Sequence, residues 1–590
     1  MKRISIVMAL TIGLLACNQS NKSKLDSPKF GTFLENYYED QLKLSPLSAT
    51  MVGDDRYDDL LPNDGSASYL QAWSNFNKSY LDSLKNYDRE SLNENDQLSF
   101  DNLKYQLEIN LEGDQYHFEY LPFNQFVGLP LTMGQLGSGT GAQPFKTVKN
   151  YENWLKRVNS FSVWADTAIG NFKKGMAAGI ILPKKLVTKM IPQMQGMEVT
   201  DPKKSLFYGP IELMPKDFSA ADKARLTKEY ENTILTVIVP TYKKLGDFLQ
   251  NEYLAKASEN SGYGTMTGGD KMYAFQVKLN TTTNKTPEEI YQTGLSEVAR
   301  IRKAMDSIKN VVEFKGDLKA FFEYMKEDKQ FMPYKTPKEV IATFEKIHQT
   351  MQPNLKKMFL HEPKTPFEVR QTEAFRAASA SAEYNQGSAD GKRPGIFYVP
   401  ILDATKFNTT SGMESLFLHE AIPGHHYQIS LTQENTALPK FRRYGGHNAY
   451  VEGWALYCES LGKELGLYTD PYQYMGALGD EIHRAIRLVV DVAIHSKNMS
   501  REEAIKYMMD NEAISEQGAT AEIERYMAIP GQALGYKTGA MKIASLRKKY
   551  EAALGAKFNL AEFHNEVLKD GSLPLAVFET KMDNWAASKK

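Results

Sequence analysis

The chain has 590 residues, of which 42% are hydrophobic, so it is long enough to bury a substantial core in one large domain or in several smaller ones. Its formal net charge is −1, and its 71 lysine and arginine residues are dispersed without a basic block. This distribution lacks the electrostatic signature of a phosphate-backbone binder and argues against a nucleic-acid partner.

The N-terminus has the pattern of an export signal. Two basic residues precede an apolar run over residues 4–15, which is too short to span a bilayer and has the length of a signal-peptide core. The run leads into Leu14-Leu15-Ala16-Cys17, which resembles a bacterial lipobox, where the cysteine is lipidated and becomes the mature N-terminus. Residues 18–28 are polar and suited to a tether. We therefore predict a bacterial cell-envelope protein, at the outer membrane or periplasmic face, that is anchored through a lipid on Cys17; the alternative is an ordinary signal peptide with a chance cysteine.

Residues 29–590 are predicted to form one mainly α domain. Thr286-Pro287-Glu288-Glu289 supplies an N-cap, a proline at the first helical position and two acidic residues in the first turn. A short strand is predicted over residues 395–399, which read Gly-Ile-Phe-Tyr-Val. The segments with the clearest helical spacing of apolar residues are 30–44, 219–250, 286–310, 337–358 and 500–509.

Residues 419–426 read His-Glu-Ala-Ile-Pro-Gly-His-His and indicate a bound metal that activates water. In the common zinc hydrolase motif two histidines lie four residues apart on a helix, so both rings face one ion while the intervening glutamate takes a proton from its water. The spacing here is different. On a regular helix His425 would point about 120° away from His419, and His426 would return to the same face about 10 Å farther along.

Two residues between these histidines favour a break in the helix. Pro423 removes a backbone donor and clashes with the carbonyl of His419, and Gly424 tolerates unusual dihedral angles. A break would bring His425 round beside His419, so we predict that these two residues are metal ligands. His426 would then support a ligand or face the substrate, although the choice between His425 and His426 as second ligand stays open.

A third ligand is expected because catalytic zinc usually has three protein ligands and one open position for water. The next helical stretch, residues 449–461, carries two acidic residues among apolar and aromatic ones. We assign Glu452 as the third ligand, since Gly453 beside it permits close approach of another helix. Glu459 would orient a ligand histidine, or else be a surface charge of the helix. Such ligands suit zinc but also accept manganese or cobalt.

Three motifs together resemble a large bacterial family catalogued as a domain of unknown function. They are His-Glu-x-x-Pro-Gly-His-His-x-x-Gln at 419–428, Ala-Tyr-x-Glu-Gly-Trp-Ala-Leu-Tyr-x-Glu at 449–459 and Arg-Tyr-x-x-x-Pro-Gly-Gln-Ala-x-x-Tyr-Lys-x-Gly at 525–539. That family is similar to the helical zinc peptidases of the gluzincin type, which use two histidines and a later glutamate. The resemblance implies a helical zinc-peptidase-like fold with a substrate cleft between two helical halves. It also implies a β edge at residues 395–399, including Tyr398, along which a peptide pairs.

The zinc chemistry and the resemblance imply catalytic roles for further residues. Zinc lowers the pKa of its water, and Glu420 would accept the proton as the water attacks a scissile carbonyl. The developing oxyanion needs a donor besides the metal. Tyr536 is the first choice because helical zinc peptidases use a late tyrosine in this role, and Tyr526 and His495 are the alternatives.

Basic residues near these motifs would hold a substrate carboxylate, which favours a carboxypeptidase-like cut. The candidates are Arg484, Arg487, Arg525 and Lys537. Arg484 and Arg487 have an alternative role, since each can pair with an acidic residue of its own helix: Asp480, Glu481 or Asp491.

The sequence thus predicts a zinc-dependent metallopeptidase that hydrolyses oligopeptides, with Glu420 as the general base. One alternative is a helical lipoprotein that binds nutrients without catalysis, and another is a zinc hydrolase that cleaves an amide or ester in a non-peptide substrate. Glu420 separates the first two hypotheses, because a binding protein has no need of a carboxylate next to a metal histidine.

Overall fold

The computed structural model describes residues 28–373, 381–387 and 393–590. The predicted signal peptide, the lipidation site Cys17 and residues 18–27 of the tether lie outside the described residues. Among the residues described, none of the helices combines the length and the apolar character needed to cross a membrane.

Helices dominate the described part of the chain, which confirms the prediction of a mainly α fold. Two π-helical turns, Ile234–Ile238 and Leu249–Tyr253, interrupt the helical segment predicted over residues 219–250. The α-helices run over Pro28–Leu44, Pro46–Met51, Ala67–Leu84, Glu94–Gly113, Leu129–Gly137, Val148–Asn159, Phe161–Ala178, Lys184–Gln195, Gly209–Glu212, Ala220–Thr233, Val239–Phe248, Gly269–Thr281, Pro287–Val311, Leu318–Glu327, Pro337–Met358, Met413–Glu420, His425–Glu434, Lys440–Arg443, Asn448–Ser460, Pro471–Ser496, Arg501–Asn511, Glu516–Ala528, Leu534–Leu554, Leu560–Leu568 and Leu575–Ser588.

The start of the helix Pro287–Val311 shows how local sequence fixes an element. Thr286 Oγ1 accepts a hydrogen bond from the Glu289 N–H at 3.2 Å, and the Glu289 carboxylate accepts one from the Thr286 N–H at 2.8 Å. This reciprocal capping box satisfies two backbone donors that have no partner inside the helix. The helix therefore begins at the position that the sequence predicts.

A small three-stranded sheet contains the predicted strand. Its strands are β1 (Phe367–Gln371), β2 (Glu383–Asn385) and β3 (Gly395–Val399), in the order β1-β3-β2. β3 runs parallel to β1 and antiparallel to β2. The strand prediction is confirmed, but the prediction that residues 395–399 form a free edge is wrong, because both sides of β3 hydrogen-bond to neighbouring strands.

Five helices carry the candidate site, one of which is His425–Glu434. We call Met413–Glu420 the histidine helix, Asn448–Ser460 the glutamate helix, Pro471–Ser496 the central helix and Leu534–Leu554 the tyrosine helix. The glutamate and tyrosine helices pack against each other, and the histidine helix packs against both the glutamate and the central helices. These contacts bring together residues that are far apart in the sequence.

The apolar interior holds these helices in fixed positions. Its buried residues form two large clusters, and the central helix contributes to both. One cluster surrounds the candidate site and includes Phe417 and Leu418 from the histidine helix, Trp454 from the glutamate helix and Ile543 from the tyrosine helix. All four side chains are fully buried, so the ligand-bearing helices share one packed core.

Candidate metal centre

The helix breaks between His419 and His425, as the sequence predicts. The histidine helix ends at Glu420, and the next helix begins at His425. Ala421 and Gly424 have ψ angles of −105° and −126°, far from helical values, and the Ile422–Pro423 peptide is cis. A Cβ atom on Gly424 would lie 1.9 Å from the carbonyl oxygen of His419, so this turn requires glycine.

Three side chains converge at this break. The Nε2 atoms of His419 and His425 lie 3.6 and 3.5 Å from Oε2 of Glu452, and the three ligand atoms all lie within 4.8 Å of one another. The two imidazole rings are almost perpendicular, at 88°. Ligand atoms at zinc-binding distance, about 2.0–2.2 Å from a tetrahedral ion, are about 3.3–3.6 Å apart. The two histidine–glutamate distances therefore match the spacing of donor atoms around a tetrahedral metal ion.

The structure places His425, and not His426, in the cluster. The His426 ring packs against Phe367 of β1, with ring centroids 4.9 Å apart, and its Nδ1 lies 3.0 Å from the hydroxyl of Tyr384 in β2. Burial lowers the pKa of His426 to about 4, so this imidazole is neutral at neutral pH. His426 thus joins the ligand-bearing helix to the sheet.

Glu452 reaches the histidines because two helices approach very closely. A Cβ atom on Gly453 would lie 2.5 Å from Cα of Gly539 in the tyrosine helix, and a Cβ atom on Gly539 would lie 1.7 Å from the carbonyl oxygen of Ala449. Only glycine at both positions allows this contact between backbones. The glycine beside Glu452 therefore has the role that the sequence predicts for it.

Glu459 hydrogen-bonds to the ligand-cluster residue His419. One of its carboxylate oxygens lies 2.7 Å from Nδ1 of His419, and its side chain is buried. The carboxylate accepts the Nδ1 proton of His419, so Nε2 is the nitrogen that can bind a metal ion once its own proton has left. The alternative of a surface charge is wrong for Glu459, because only 5% of the residue is exposed.

The charges of the cluster fit a bound cation. Burial lowers the pKa of His419, but the carboxylates of Glu452 and Glu459 raise it overall to about 10. Burial also raises the pKa of Glu452, yet the two imidazoles bring it well below its usual range. Oε2 of Glu452 is buried and accepts no hydrogen bond. A carboxylate oxygen between two imidazoles with no donor attached is suited to a divalent metal ion.

Two further predicted residues lie close to the ligands. Glu420 follows His419 at the end of the histidine helix, is half-buried and makes no ion pair or hydrogen bond with any described residue. The Tyr536 ring lies 6.5 Å from the His419 ring and almost parallel to it. Burial, together with the nearby Glu452 carboxylate, raises the pKa of Tyr536, so its hydroxyl remains protonated and able to donate.

The other two oxyanion candidates have different partners. His495 is fully buried; its Nδ1 accepts from the Tyr263 N–H at 3.1 Å, and its Nε2 donates to the Tyr526 carbonyl at 3.0 Å. The Tyr526 hydroxyl hydrogen-bonds to Glu522 and accepts from Nε of Arg487. Because these polar atoms are already used inside the protein, neither residue has a donor left for a substrate.

Arg487 contacts the face of Tyr536 and belongs to a buried polar network. Its guanidinium carbon lies 4.7 Å from the Tyr536 ring centroid, and its Nη2 donates to Glu522 at 3.1 Å and lies 3.2 Å from Nε2 of His483. Nη1 is buried without an acceptor. Nη1 of Arg525 lies 3.7 Å from Oε1 of Glu522, and its Nη2 donates to Oε1 of Gln532.

Arg484 and Lys537 differ in how fully they are paired. Arg484 Nη1 lies 3.5 Å from the Asp480 carboxylate on its own helix, which is the alternative that the sequence allows. Lys537 is buried, and its ammonium lies 2.7 Å from Glu481 and 3.0 Å from Glu297. Lys537 thus already pairs with two carboxylates inside the protein.

Tyr398 lies in the middle of the sheet. It is opposite Arg370 of β1 and Glu383 of β2. Its backbone therefore has neighbours on both sides and is not available for pairing with a peptide in the way that the resemblance implies.

Several residues that shape the site carry little or no signal in a single sequence. Glu522, which holds Arg487 and Tyr526, lies four residues before Tyr526, and this spacing is the one local hint of their contact. Trp454 donates from Nε1 to the Pro423 carbonyl at 2.8 Å and so fastens the helix break to the glutamate helix. Tyr384, the partner of His426, comes from a distant strand, and no spacing in the sequence predicts that contact.

Fold and site together define a mainly α protein with a cluster of two histidines and one glutamate between packed helices. The chain belongs to the family described as "Bacterial protein of unknown function (DUF885)", whose model matches residues 46–582. This confirms the resemblance to a bacterial family of unknown function. Among curated proteins, none matches the chain.

Two solved structures resemble the whole domain. A "putative lipoprotein from Colwellia psychrerythraea" is 27% identical and has a TM-score of 0.85, with 95% of this chain and 99% of the other covered. A "putative lipoprotein of unknown function from Shewanella oneidensis" is 21% identical and has a TM-score of 0.76, with 94% and 100% covered. The second comparison shows a shared fold.

Proposed function

We propose that this protein is a zinc-dependent peptidase of the bacterial cell envelope. The observation that carries the proposal is the convergence of His419, His425 and Glu452, whose ligand atoms lie within 4.8 Å of one another although Glu452 is on a separate helix. Two nitrogen ligands and one carboxylate are a donor set of catalytic zinc sites. The resemblance to gluzincin-type helical peptidases, which use the same set, supports the same chemistry.

A zinc ion held by these three side chains would supply a Lewis acid that polarises a carbonyl group and acidifies water. The chain supplies the proton transfers. Glu420, which has no competing partner among the described residues, accepts the proton of the attacking water and returns it to the leaving amine. Accepting a proton and returning it are roles that suit a half-buried carboxylate next to a ligand histidine.

Tyr536 would stabilise the negative charge that develops on the carbonyl oxygen. Its raised pKa keeps the hydroxyl protonated, and its ring lies beside the His419 ring. The loss of one such donor in known hydrolases costs about 3–4 kcal/mol of transition-state stabilisation. Tyr536→Phe should therefore lower kcat by about 10²–10³-fold and leave zinc binding intact.

The cell-envelope location rests on the N-terminal sequence and on the relatives. Leu14-Leu15-Ala16-Cys17 resembles a lipobox, and the two similar solved structures carry the name lipoprotein. Lipidation of Cys17 would anchor the domain to a membrane and place it among extracytoplasmic peptides. Labelling cells with a clickable fatty acid tests this: Cys17→Ser should remove the label and release the protein from the membrane fraction, whereas an unlabelled parent protein would contradict it.

Metal content and hydrolysis test the proposed chemistry directly. The form beginning after Cys17 should contain about one zinc per chain by elemental analysis, and His419→Ala or Glu452→Ala should lose it. His361→Ala is the matched control, because His361-Glu362 repeats the His-Glu pair at an exposed position outside the cluster. This variant should retain its zinc.

Activity is measured next on an unbiased library of short peptides. The parent protein should cleave a subset of them, while Glu420→Gln should keep its zinc and lose cleavage by at least about 100-fold. A parent protein that binds no zinc even when it is supplied would overturn the proposal and favour a nutrient-binding lipoprotein. If the protein binds zinc but cleaves only non-peptide esters or amides, the proposed zinc chemistry holds and the proposed peptide substrate is wrong.

A further inference from the structure

A cavity of about 420 Å³ lies beside the central helix. The central helix forms one side of it, and residues of the helices Pro287–Val311 and Leu318–Glu327 form another. Its volume is within the range of small-molecule binding sites, about 300–1,000 Å³. The cavity can therefore hold a side chain or a small organic ligand.

A hydrogen bond connects this cavity to the histidine helix. Asp480, which lines the cavity, accepts from the hydroxyl of Ser415. Ser415 lies four residues before His419, which is about 6 Å along the helix axis. Asp480 and Ser415 thus link the wall of the cavity to the helix that carries the metal ligand His419.

The walls of the cavity are mostly apolar. Met305, Phe322, Met325 and Met475 line it, and all four are buried. Methionine side chains are flexible and adapt to irregular apolar or aromatic groups. This wall favours a ligand with a large apolar part.

Arg484 lines the same cavity, and although the carboxylates of Glu459 and Asp480 lie near it, several of its N–H donors have no acceptor. Its Nη1 donates one long hydrogen bond, 3.5 Å, to the carbonyl oxygen of Asp480, and its Nε is buried without an acceptor. Its Nη2 donates to no described residue. A guanidinium group has five N–H donors, and a carboxylate can accept two of them in parallel.

The other charged residues of the cavity already have partners. Glu512 lies 2.9 Å from Nδ1 of His483, and Asp480 accepts from Ser415 and lies 3.5 Å from Arg484. Lys326 lines the cavity with an exposed side chain, and its ammonium lies 3.7 Å from the carboxylate of Glu323. The unsatisfied donors of Arg484 therefore favour an anion.

We propose that this cavity binds an apolar carboxylate, with the apolar group against the methionine wall and the carboxylate on the guanidinium of Arg484. If the protein is the proposed peptidase, the ligand is the C-terminal residue of the peptide substrate; this assignment rests on the proposed function. The enzyme would then prefer peptides that end in a large apolar residue with a free carboxylate.

Gly479 offers a way to block the cavity without disturbing the fold. It lines the cavity, and a Cβ atom built on it meets no heavy atom within 4 Å. Gly479→Leu would fill the cavity from the central helix, and leucine favours a helix more than glycine does. Gly170, in the helix Phe161–Ala178, has equally open space and does not line the cavity, so Gly170→Leu is the matched control.

Calorimetry with 3-phenylpropionate and 3-phenylpropionamide tests the site on the metal-containing protein. The acid should bind at least about tenfold more tightly than the amide, since only the acid pairs with Arg484. Gly479→Leu should abolish binding of the acid, Gly170→Leu should not, and Arg484→Met should remove the preference for the acid. Equal binding of acid and amide, or unchanged binding to Gly479→Leu, would overturn the proposal; the second result would assign the acid to the metal centre.

Peptide hydrolysis then tests whether the ligand is part of the substrate. Peptides ending in free phenylalanine should be cleaved with a KM at least about tenfold lower than their C-terminal amides, and Arg484→Met should raise only the KM of the free acids. Equal KM values would overturn the assignment to the substrate's C-terminal residue. If no peptide is cleaved, the proposed function fails. The binding of 3-phenylpropionate then still tests whether the cavity binds an apolar carboxylate.

Discussion

The Nδ1 atom of His419 and a carboxylate oxygen of Glu459 lie 2.7 Å apart inside the protein, with both side chains almost completely buried. The two residues are on different helices, so this contact connects the end of the histidine helix to the end of the glutamate helix. It fixes the orientation of the His419 ring and the position of its proton. The ring is therefore oriented toward the ligand cluster before a metal binds.

Glu459→Gln should weaken zinc binding by about 10- to 100-fold, because an amide orients the imidazole less strongly than a carboxylate and does not raise its basicity. Competition with a chelator of known affinity measures the change. Glu516→Gln, at an exposed position in the helix Glu516–Ala528, is the control and should bind zinc as the parent does. Equal zinc affinity of the Glu459 variant and this control would contradict the role of Glu459.

Gly424→Ala should disrupt the helix break. The added Cβ atom would lie 1.9 Å from the carbonyl oxygen of His419, so the backbone must move and the two histidines must separate. We expect the variant to lose both zinc and about 2–4 kcal/mol of unfolding free energy. Urea unfolding and zinc analysis measure the two effects.

Gly170→Ala is the control for the Gly424 variant, because a Cβ atom on Gly170 meets no heavy atom within 4 Å. It should keep its zinc and gain up to about 1 kcal/mol from helix propensity. If Gly424→Ala retained the full zinc content of this control, the break would not depend on glycine.

His495→Phe should affect stability, with a defined pH dependence, and leave zinc content unchanged. At pH 7 the variant leaves the Tyr263 N–H and the Tyr526 carbonyl without their partner, which costs about 1–3 kcal/mol for each group. Burial lowers the pKa of His495 to about 4 in the folded protein, against about 6.5 when it is unfolded.

Between these two pKa values, lowering the pH reduces the contribution of His495 to the free energy of unfolding. As the pH falls from 6.5 to 4, the unfolded state takes up a proton that the folded state does not, so the parent protein loses about 1.4 kcal/mol per pH unit from this group. The variant lacks the group, and its deficit in unfolding free energy should therefore shrink toward pH 4. Urea unfolding at several pH values measures this; a constant deficit would mean that folding does not lower the pKa of His495.

Lys537→Met should destabilise the fold by about 3 kcal/mol, because it leaves Glu481 and Glu297 facing each other without their buried cation. Arg300 still pairs with both carboxylates, which limits the loss. Lys542→Met is the control on the same helix, since its pair with Glu579 is more exposed and contributes about 0–1 kcal/mol. A raised KM for peptides with unchanged stability would instead support Lys537 as a substrate-binding residue.

The sequence by itself determines the local features of this protein. Apolar spacing and capping residues place the helices, as at Thr286 and Pro287, and Pro423 with Gly424 predicts the break, because the covalent structure of these residues restricts their own backbone. The spacing of His419 and His425 across that break also indicates metal chemistry. These inferences need only neighbours along the chain.

Only the tertiary structure decides which distant groups meet. It selects Glu459 as the partner of His419, gives Lys537 two carboxylates and occupies both nitrogens of His495 with backbone groups. It also places β3 between two strands, although the sequence of β3 is equally compatible with a position at the edge of the sheet. A side chain carries its donors and acceptors in its own chemistry, but the helices that pack against it decide its pKa and whether its polar groups face a partner or a substrate.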